Sequence, residues 1–300
     1  MKKLTCSIGV MAFNEESNIG YLLDSLLHQE LPTCAINEIV VVASGCRDRT
    51  AKIVESMASE NRLIKLEVQE ERLGKASAIN LFLSRAGGEI AVIESGDTIP
   101  ERTAIENLLR PFSNPGVGMT GARPVPVDAP DSFMGFTVHL FWRLHHEMAL
   151  RHPKLGELIA FRNVVREIPS DTAVDEASIE AIVTEAGYRI AYAPDAIVYN
   201  KGSETVRDFL KQRRRIMIGH KHLQRTHSYT VSTMRLGNLI RLFSRLGEAG
   251  PWSLKKIVWT LGAAGLEMFG RLLGDYDYYF KKKNPFAWEI AESTKTLKDD

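Results

Sequence analysis

Residues 91–100 read AVIESGDTIP. An apolar run suited to a buried strand ends on Ser95, Gly96 and Asp97 and resumes near Pro100, so a lone acid stands at the edge of the strand. Outward from it, short β-branched runs alternate with helical patterns through the first hundred residues. That alternation is the mark of βαβ units and a mostly parallel sheet in an α/β protein. Strands are predicted over 5–11, 38–42, 63–68 and 89–93. Between the first two, Ile19, Leu22, Leu23, Leu26 and Leu27 recur at helical spacing and face the sheet. Asp48 is placed to cap the helix that follows the second strand. Two more helices are predicted over 74–85 and 100–112, the latter opened by Pro100 at a permitted first-turn position.

From Gly116 the pattern changes. GVGMTGARPVPVDAP suits a strand with a turn, and a helix over about 131–150 follows. DEASIEAIVTEAG reads as a helix closed by Gly187, and YRIAYAPDAIVYN returns to extended chain. After Lys201 the remainder is helical. Between Thr205 and Arg245 ten Lys and Arg stand against the single Asp208, and the basic residues Arg213 and Arg214 are expected on a solvated face.

An apolar content of 44% can bury a sizeable core, and a net charge of +1 gives no global ground for a nucleic-acid partner. Cys6, Cys34 and Cys46 have no paired spacing, which points to a reduced, cytoplasmic setting. The apolar start of the chain is broken by Asn14, Glu15 and Glu16 too soon for a signal peptide. No uncharged apolar run approaches the ~20 residues of a spanning helix. Trp259, Phe269, Tyr276, Tyr278, Tyr279 and Phe280 precede a KKK run, a mix suited to lying on a membrane face or to packing against the main domain or a second subunit.

In a parallel α/β sheet, ligands bind beyond the carboxyl ends of the strands. The four predicted strands end in AFNEESN, ASGCRDRT, ERLGKASAIN and ESGDTIP. Any one of these is what a turn needs anyway; four in register, the last bearing a carboxylate, form a candidate site.

At these residues the sequence resembles the inverting nucleotide-sugar glycosyltransferases of family 2, with the GT-A fold. The resemblance runs through SIGVMAFNEESNIGYLLDSL, EIVVVASGCRDRT, GKASAIN, SGDTIP, GELIAFR, the pair Asp175 and Glu176, GYRIAYAPDAIV and QRRR, over roughly 4–223. It implies a GT-A domain over 1–203, with a nucleotide-binding half (1–100) and an acceptor half (101–203), and a helical C-terminal region over 204–300. It also implies a nucleotide diphosphate-sugar donor held by Ala12, Asn14, Glu15, Ser44, Lys75, Ser95, Gln212 and Arg215. Lys75 reads equally as a solvated surface lysine.

The family's Asp-x-Asp, whose acids hold a divalent cation (Mg²⁺ or Mn²⁺) on the donor diphosphate, is here Ser95, Gly96 and Asp97. Ser95 takes the place of the first acid, Asp97 is the implied metal ligand with His220 as a further candidate, and Glu94 is expected to face away. Asp97 also reads as a cap for the helix opened by Pro100. Ser44 stands where many relatives carry an acid for the uracil imide. Gln212 and Arg215 match Gln-x-x-Arg-Trp, but Ile216 replaces the tryptophan, which implies non-processive transfer. Counting back from Gly187 in the family spacing makes Glu176 the catalytic base and Asp175 its partner; both also read as ordinary helix-start acids.

The acceptor is a glycan, a lipid-linked sugar or a small molecule, and the place of work is the cytoplasm or the cytoplasmic face of a membrane. Two other functions fit such a sheet. A nucleotidyltransferase would want a Gly- and Arg-rich loop after the first strand, where AFNEESN is acidic. A non-catalytic nucleotide-sugar-binding protein would not need the acidic pair.

Overall fold

The structure is a computed structural model and describes residues 3–153, 155–170, 172, 174–227 and 253–281. Its first half runs β1 (Leu4–Ala12), α1 (Ile19–Leu27), β2 (Cys34–Ser44), α2 (Thr50–Glu60), β3 (Ile64–Gln69), α3 (Lys75–Arg85) and β4 (Ile90–Ser95). All three strand pairings within it, β1 with β2, β1 with β4 and β2 with β3, are parallel. The central strands are apolar on both faces because helices cover both. Cys6, Ile8, Val10, Ile90 and Val92 face α1, α2 and the helix after β4, while Val40, Val42, Ala91 and Ile93 face α3. Gly9 belongs to the second face, where a Cβ would stand 2.4 Å from the ring of Phe82 of α3.

The second half is mixed. After β4 come β5 (Thr98–Pro100), α4 (Ala104–Leu109), β6 (Val117–Pro126), α5 (Phe133–Ala149), β7 (Ile159–Arg162), α6 (Asp175–Glu185) and β8 (Arg189–Asn200). The eight strands lie in the order β3-β2-β1-β4-β7-β6-β8-β5. β7 is antiparallel to both β4 and β6, β6 is parallel to β8, and β5 is antiparallel to β8.

Pro100 does not open a helix: it ends β5, opposite Val198 of β8, and α4 starts only at Ala104. The reason is a turn at Gly96–Asp97, which carries the chain from β4 straight into β5. Ser95 and Asp97 are therefore not successive positions of one extended strand, and Asp97 has no helix to cap. The helix expected over 131–150 is α5, with the Ser132 hydroxyl accepting from the Gly135 N–H at 2.9 Å. Gly187, in left-handed backbone at φ 85°, closes α6 as expected.

Among the described residues the C-terminal helices are α7 (Val206–His227) and α8 (Leu254–Tyr279). Arg213 and Arg214 are not on a solvated face but join the two. Arg213 pairs with Glu267 at 3.3 Å, Arg214 Nε donates to Asp277 at 2.7 Å, and Lys221 pairs with Asp275 at 3.3 Å. Trp259 of α8 packs on Phe133 and Phe136 of α5. Phe269, Tyr276, Tyr279 and Phe280 are exposed instead. Among the described residues no helix is long and apolar enough to cross a membrane. The later part of the basic segment and most of the KKK run lie outside the described residues.

Candidate active site

The loops beyond β1 and β2 are tied to each other. Asn14 takes left-handed backbone (φ 52°), which asparagine tolerates, and its Oδ1 accepts from the Arg47 N–H at 2.9 Å. Glu15 is buried; its N–H donates to Thr50 Oγ1 at 2.7 Å and its carboxylate accepts from Asn18 Nδ2 at 3.1 Å. The Ala12 carbonyl accepts from Cys46 Sγ at 3.5 Å. Asp48 accepts from the N–H groups of Thr50 and Glu16, both at 3.0 Å, so it caps the entry to α2 as expected. Burial pushes the Asp48 carboxyl up, but these donors bring it below the usual range. Ser44, at the end of β2, is buried with a hydroxyl that has no hydrogen-bond partner.

Across the sheet edge, the starts of α3 and α6 meet. Gly74 enters α3 at φ 91°, and Lys75 is the first helical residue; Asp175 and Glu176 are the first two of α6. Lys75 Nζ lies 2.8 Å from Asp175 Oδ2 and 3.3 Å from Glu176 Oε1. It is no solvated surface lysine. The side chain of Asp175 is 5% exposed and that of Glu176 25%, so only Glu176 opens to an incoming group. Burial alone would lower the Lys75 ammonium, yet the charges of Asp175 and Glu176 raise it. Burial and the charge of Glu176 raise Asp175. For Glu176 burial also acts upward, but Lys75 and its own backbone N–H hold it below the usual carboxylate range.

Asp97, in the β4–β5 turn, acts by its charge on Glu94, Glu157 and Arg215. Sequence reasoning missed two further carboxylates here. Glu94, expected to face away, is fully buried; Thr98 Oγ1 donates to its Oε1, while its Oε2 has no partner. Burial, then the charges of Glu157 and Asp97, push its pKa up to about 8. Glu157 is half-buried in left-handed backbone at φ 60°, with Asn200 Nδ2 donating to its Oε1 at 3.4 Å. Burial and the charge of Asp97 push it up to about 7. Both were visible as letters, Glu94 as an acid inside an apolar strand and Glu157 in GELIAFR, but nothing local told them from surface acids.

Arg215 of α7 completes the group. Burial lowers its guanidinium, while the charges of Asp175, Glu176, Glu157 and Asp97 act the other way. Gln212 is half-buried one turn earlier on α7, and His220 follows five residues after Arg215, ~7.5 Å along the helix axis. Among the described residues no three His, Cys, Asp or Glu side chains already converge on one point to hold a metal.

The chain matches the Glycosyl transferase family 2 model over residues 7–166 and the Glycosyl transferase family group 2 model over residues 133–270. It is 25% identical over 248 residues to poly-beta-1,6-N-acetyl-D-glucosamine synthase of Staphylococcus aureus, covering 78% of this chain and 59% of that protein. This chain therefore spans about three fifths of the length of that relative. In fold it is similar to a mannosyltransferase from Pyrobaculum calidifontis solved with GDP-Man and Mn²⁺, at TM-score 0.68 and 22% identity over 94% of this chain and 89% of that one. It is also similar to S. aureus TarS 1-349 in complex with UDP, at TM-score 0.50 and 17% identity over 92% of this chain and 91% of that one. With more than half of its length matched by the first of these models, and an α/β sheet of the same kind as these enzymes, the chain belongs to glycosyl transferase family 2.

Proposed function

We propose that the chain transfers a sugar from a nucleotide diphosphate-sugar to an acceptor hydroxyl, with inversion of the anomeric carbon and the help of a divalent cation. The observation that carries this reading is Lys75 between Asp175 and Glu176 at the start of α6, with Glu176 alone of the two open to solvent. Glu176 takes the proton of the acceptor hydroxyl. The oxygen so freed bonds to the anomeric carbon from the face opposite the diphosphate, and the carbon–oxygen bond to the diphosphate breaks. The diphosphate leaves with the electron pair. Arg215, fixed in the same cluster, meets the negative charge gathering there. Lys75 positions Glu176 and keeps it ionised, and Asp175 in turn holds Lys75 in place.

The residues present fit a cation. Asp97 stands in the turn after β4, its charge acting on the buried Glu94 whose Oε2 has no partner, and would hold Mg²⁺ or Mn²⁺. When bound, the ion neutralises the departing diphosphate. The unpartnered Ser44 hydroxyl can accept from or donate to a nucleobase, so it does not restrict the donor to uridine. Ile216 after Arg215 favours single transfers over processive extension. The acceptor, whether glycan, lipid-linked sugar or small molecule, enters beside β6 and residues 131–170, and α8 works at a membrane surface.

The test is slow hydrolysis of UDP- and GDP-sugars with Mn²⁺, water standing in for the acceptor. Glu176→Gln is expected to lower the rate by ~10² to 10⁴. It should keep the thermal shift produced by UDP or GDP with Mn²⁺. Hydrolysis at the parental rate in this variant overturns the assignment of the base and passes it to Asp175.

A further inference from the structure

We infer that Glu157 supplies the carboxylate that Ser95 lacks, sharing with Asp97 the divalent cation of the donor site. This rests on the metal-assisted reading above and deepens it.

The sheet register provides the first argument. β4 and β7 pair antiparallel with Ile90 opposite Arg162 and Ile93 opposite Ile159. Glu157 comes two residues before Ile159, so the chain enters β7 from it at the end of the sheet where β4 runs on to Ser95. The missing acid of one strand is thus matched by an acid entering the next.

Backbone conformation is the second. At φ 60° Glu157 takes a left-handed conformation that side chains other than Asn and Asp seldom adopt. Gly156 stands immediately before it, yet the strained position holds a glutamate. Such strain persists where the surroundings over-determine it and clusters at ligand sites.

The third argument is the local polar inventory. Asp175 and Glu176 are engaged by Lys75, so they are not free to take up an ion. One Glu157 oxygen receives only the long bond from Asn200, and the fully buried Glu94, on which the charges of both Glu157 and Asp97 act, keeps an oxygen without a partner. The turn carrying Asp97 is held in place: a Cβ on Gly96 would stand 2.8 Å from Glu15 Cγ, so Glu15 backs it. A hard cation is commonly bound through one or two carboxylates, with phosphate oxygens and water completing its shell. Asp97 and Glu157 make two.

The experiment is Mn²⁺ binding to the full chain, followed by Mn²⁺ electron paramagnetic resonance with UDP or GDP present. Glu157→Gln is expected to weaken Mn²⁺ binding tenfold or more, and Ser95→Asp added to it should restore most of the loss. Glu157→Gly removes the carboxylate while suiting the left-handed backbone, so it should melt no lower than the parent and still lose Mn²⁺. If Glu157→Gln and Glu157→Gly bind Mn²⁺ as the parent does while Asp97→Asn does not, the inference fails and the metal-assisted reading stands. If the parent itself binds no Mn²⁺ with either nucleotide, that reading fails and takes the inference with it.

Discussion

Four glutamates show what a carboxylate does in this protein, and they divide by how fully they are bonded. Glu38 accepts from Ser7 Oγ, the Gly87 N–H and Lys65, and Glu106 accepts from Thr33 and Cys34. Burial acts upward on both, yet the donors hold both below the usual range, as expected of structural clasps. Glu94 and Glu157 go the other way, to about 8 and about 7. A carboxyl raised on folding contributes stability that is complete below its unfolded pKa of ~4.3 and is lost as pH rises through the folded value. The melting temperature is therefore expected to fall between pH 5 and pH 8.5, and Glu94→Gln should flatten the upper part of that slope. Parallel slopes for parent and variant would show that Glu94 does not titrate there. Lys75 allows a second test. Its charge is what holds Glu176 down, so Lys75→Met leaves burial and the neighbouring Asp175 to raise the pair. The acidic limb of donor hydrolysis should move to higher pH in Lys75→Met and stay in place in Lys75→Arg. An unmoved limb in Lys75→Met would detach Lys75 from the base. The acidic pair and Lys75 were legible as motifs; the ion pairs between them were not, because α3 and α6 meet only in the fold.

Helix α8 presents two faces with different tasks. Its inner face is small: a Cβ on Gly270 would stand 2.7 Å from Arg213 Cβ, and one on Gly274 2.6 Å from Met217 Cβ. That closeness lets Glu267, Asp275 and Asp277 reach the basic residues of α7. The basic run looked solvated in the sequence because its acids lie far downstream. Gly274→Leu is expected to force the helices apart and cost about 1–3 kcal/mol, read as a lower urea midpoint with an unchanged slope. An unchanged midpoint would mean that α8 contributes nothing to stability. The outer face carries exposed Leu254, Val258, Leu261, Met268, Leu272, Tyr276 and Tyr279 at helical spacing, with Lys255, Lys256 and Lys281 alongside. Such a stripe matches the membrane-surface reading. The protein should float with phosphatidylglycerol vesicles at low salt, where electrostatic attraction is strongest, and Leu261→Glu with Leu272→Glu should abolish flotation. Absence of the parent from the lipid fraction at low salt removes the idea.

At the scale of the whole molecule, the two halves of the sheet were unequally legible. The parallel half follows from local βαβ units, so its four strands and the helix face of Ile19, Leu22, Leu23 and Leu26 fall where the pattern sets them. The second half depends on pairings between distant segments, such as β5 with β8, and no periodicity announces that Pro100 will end a strand. The candidate site draws on both halves and on α7. Asp97 comes from the β4–β5 turn, Glu157 from the approach to β7, Asp175 and Glu176 from α6, and Arg215 from α7. These elements are linked by charge: Arg215 feels Asp175, Glu176, Glu157 and Asp97 at once, and Lys75 ties α3 to α6. A nucleoside diphosphate with Mn²⁺ at this junction should therefore order parts of the chain that the nucleotide itself need not touch. Hydrogen exchange of the full chain, with and without UDP or GDP plus Mn²⁺, gives the measurement. Protection is expected in the loops after β1, β2 and β3, at the start of α6, and around Arg215 on α7. Protection confined to residues before 100 would mean that the nucleotide binds the parallel half alone, and that Arg215 and the acidic pair do not belong to the donor site.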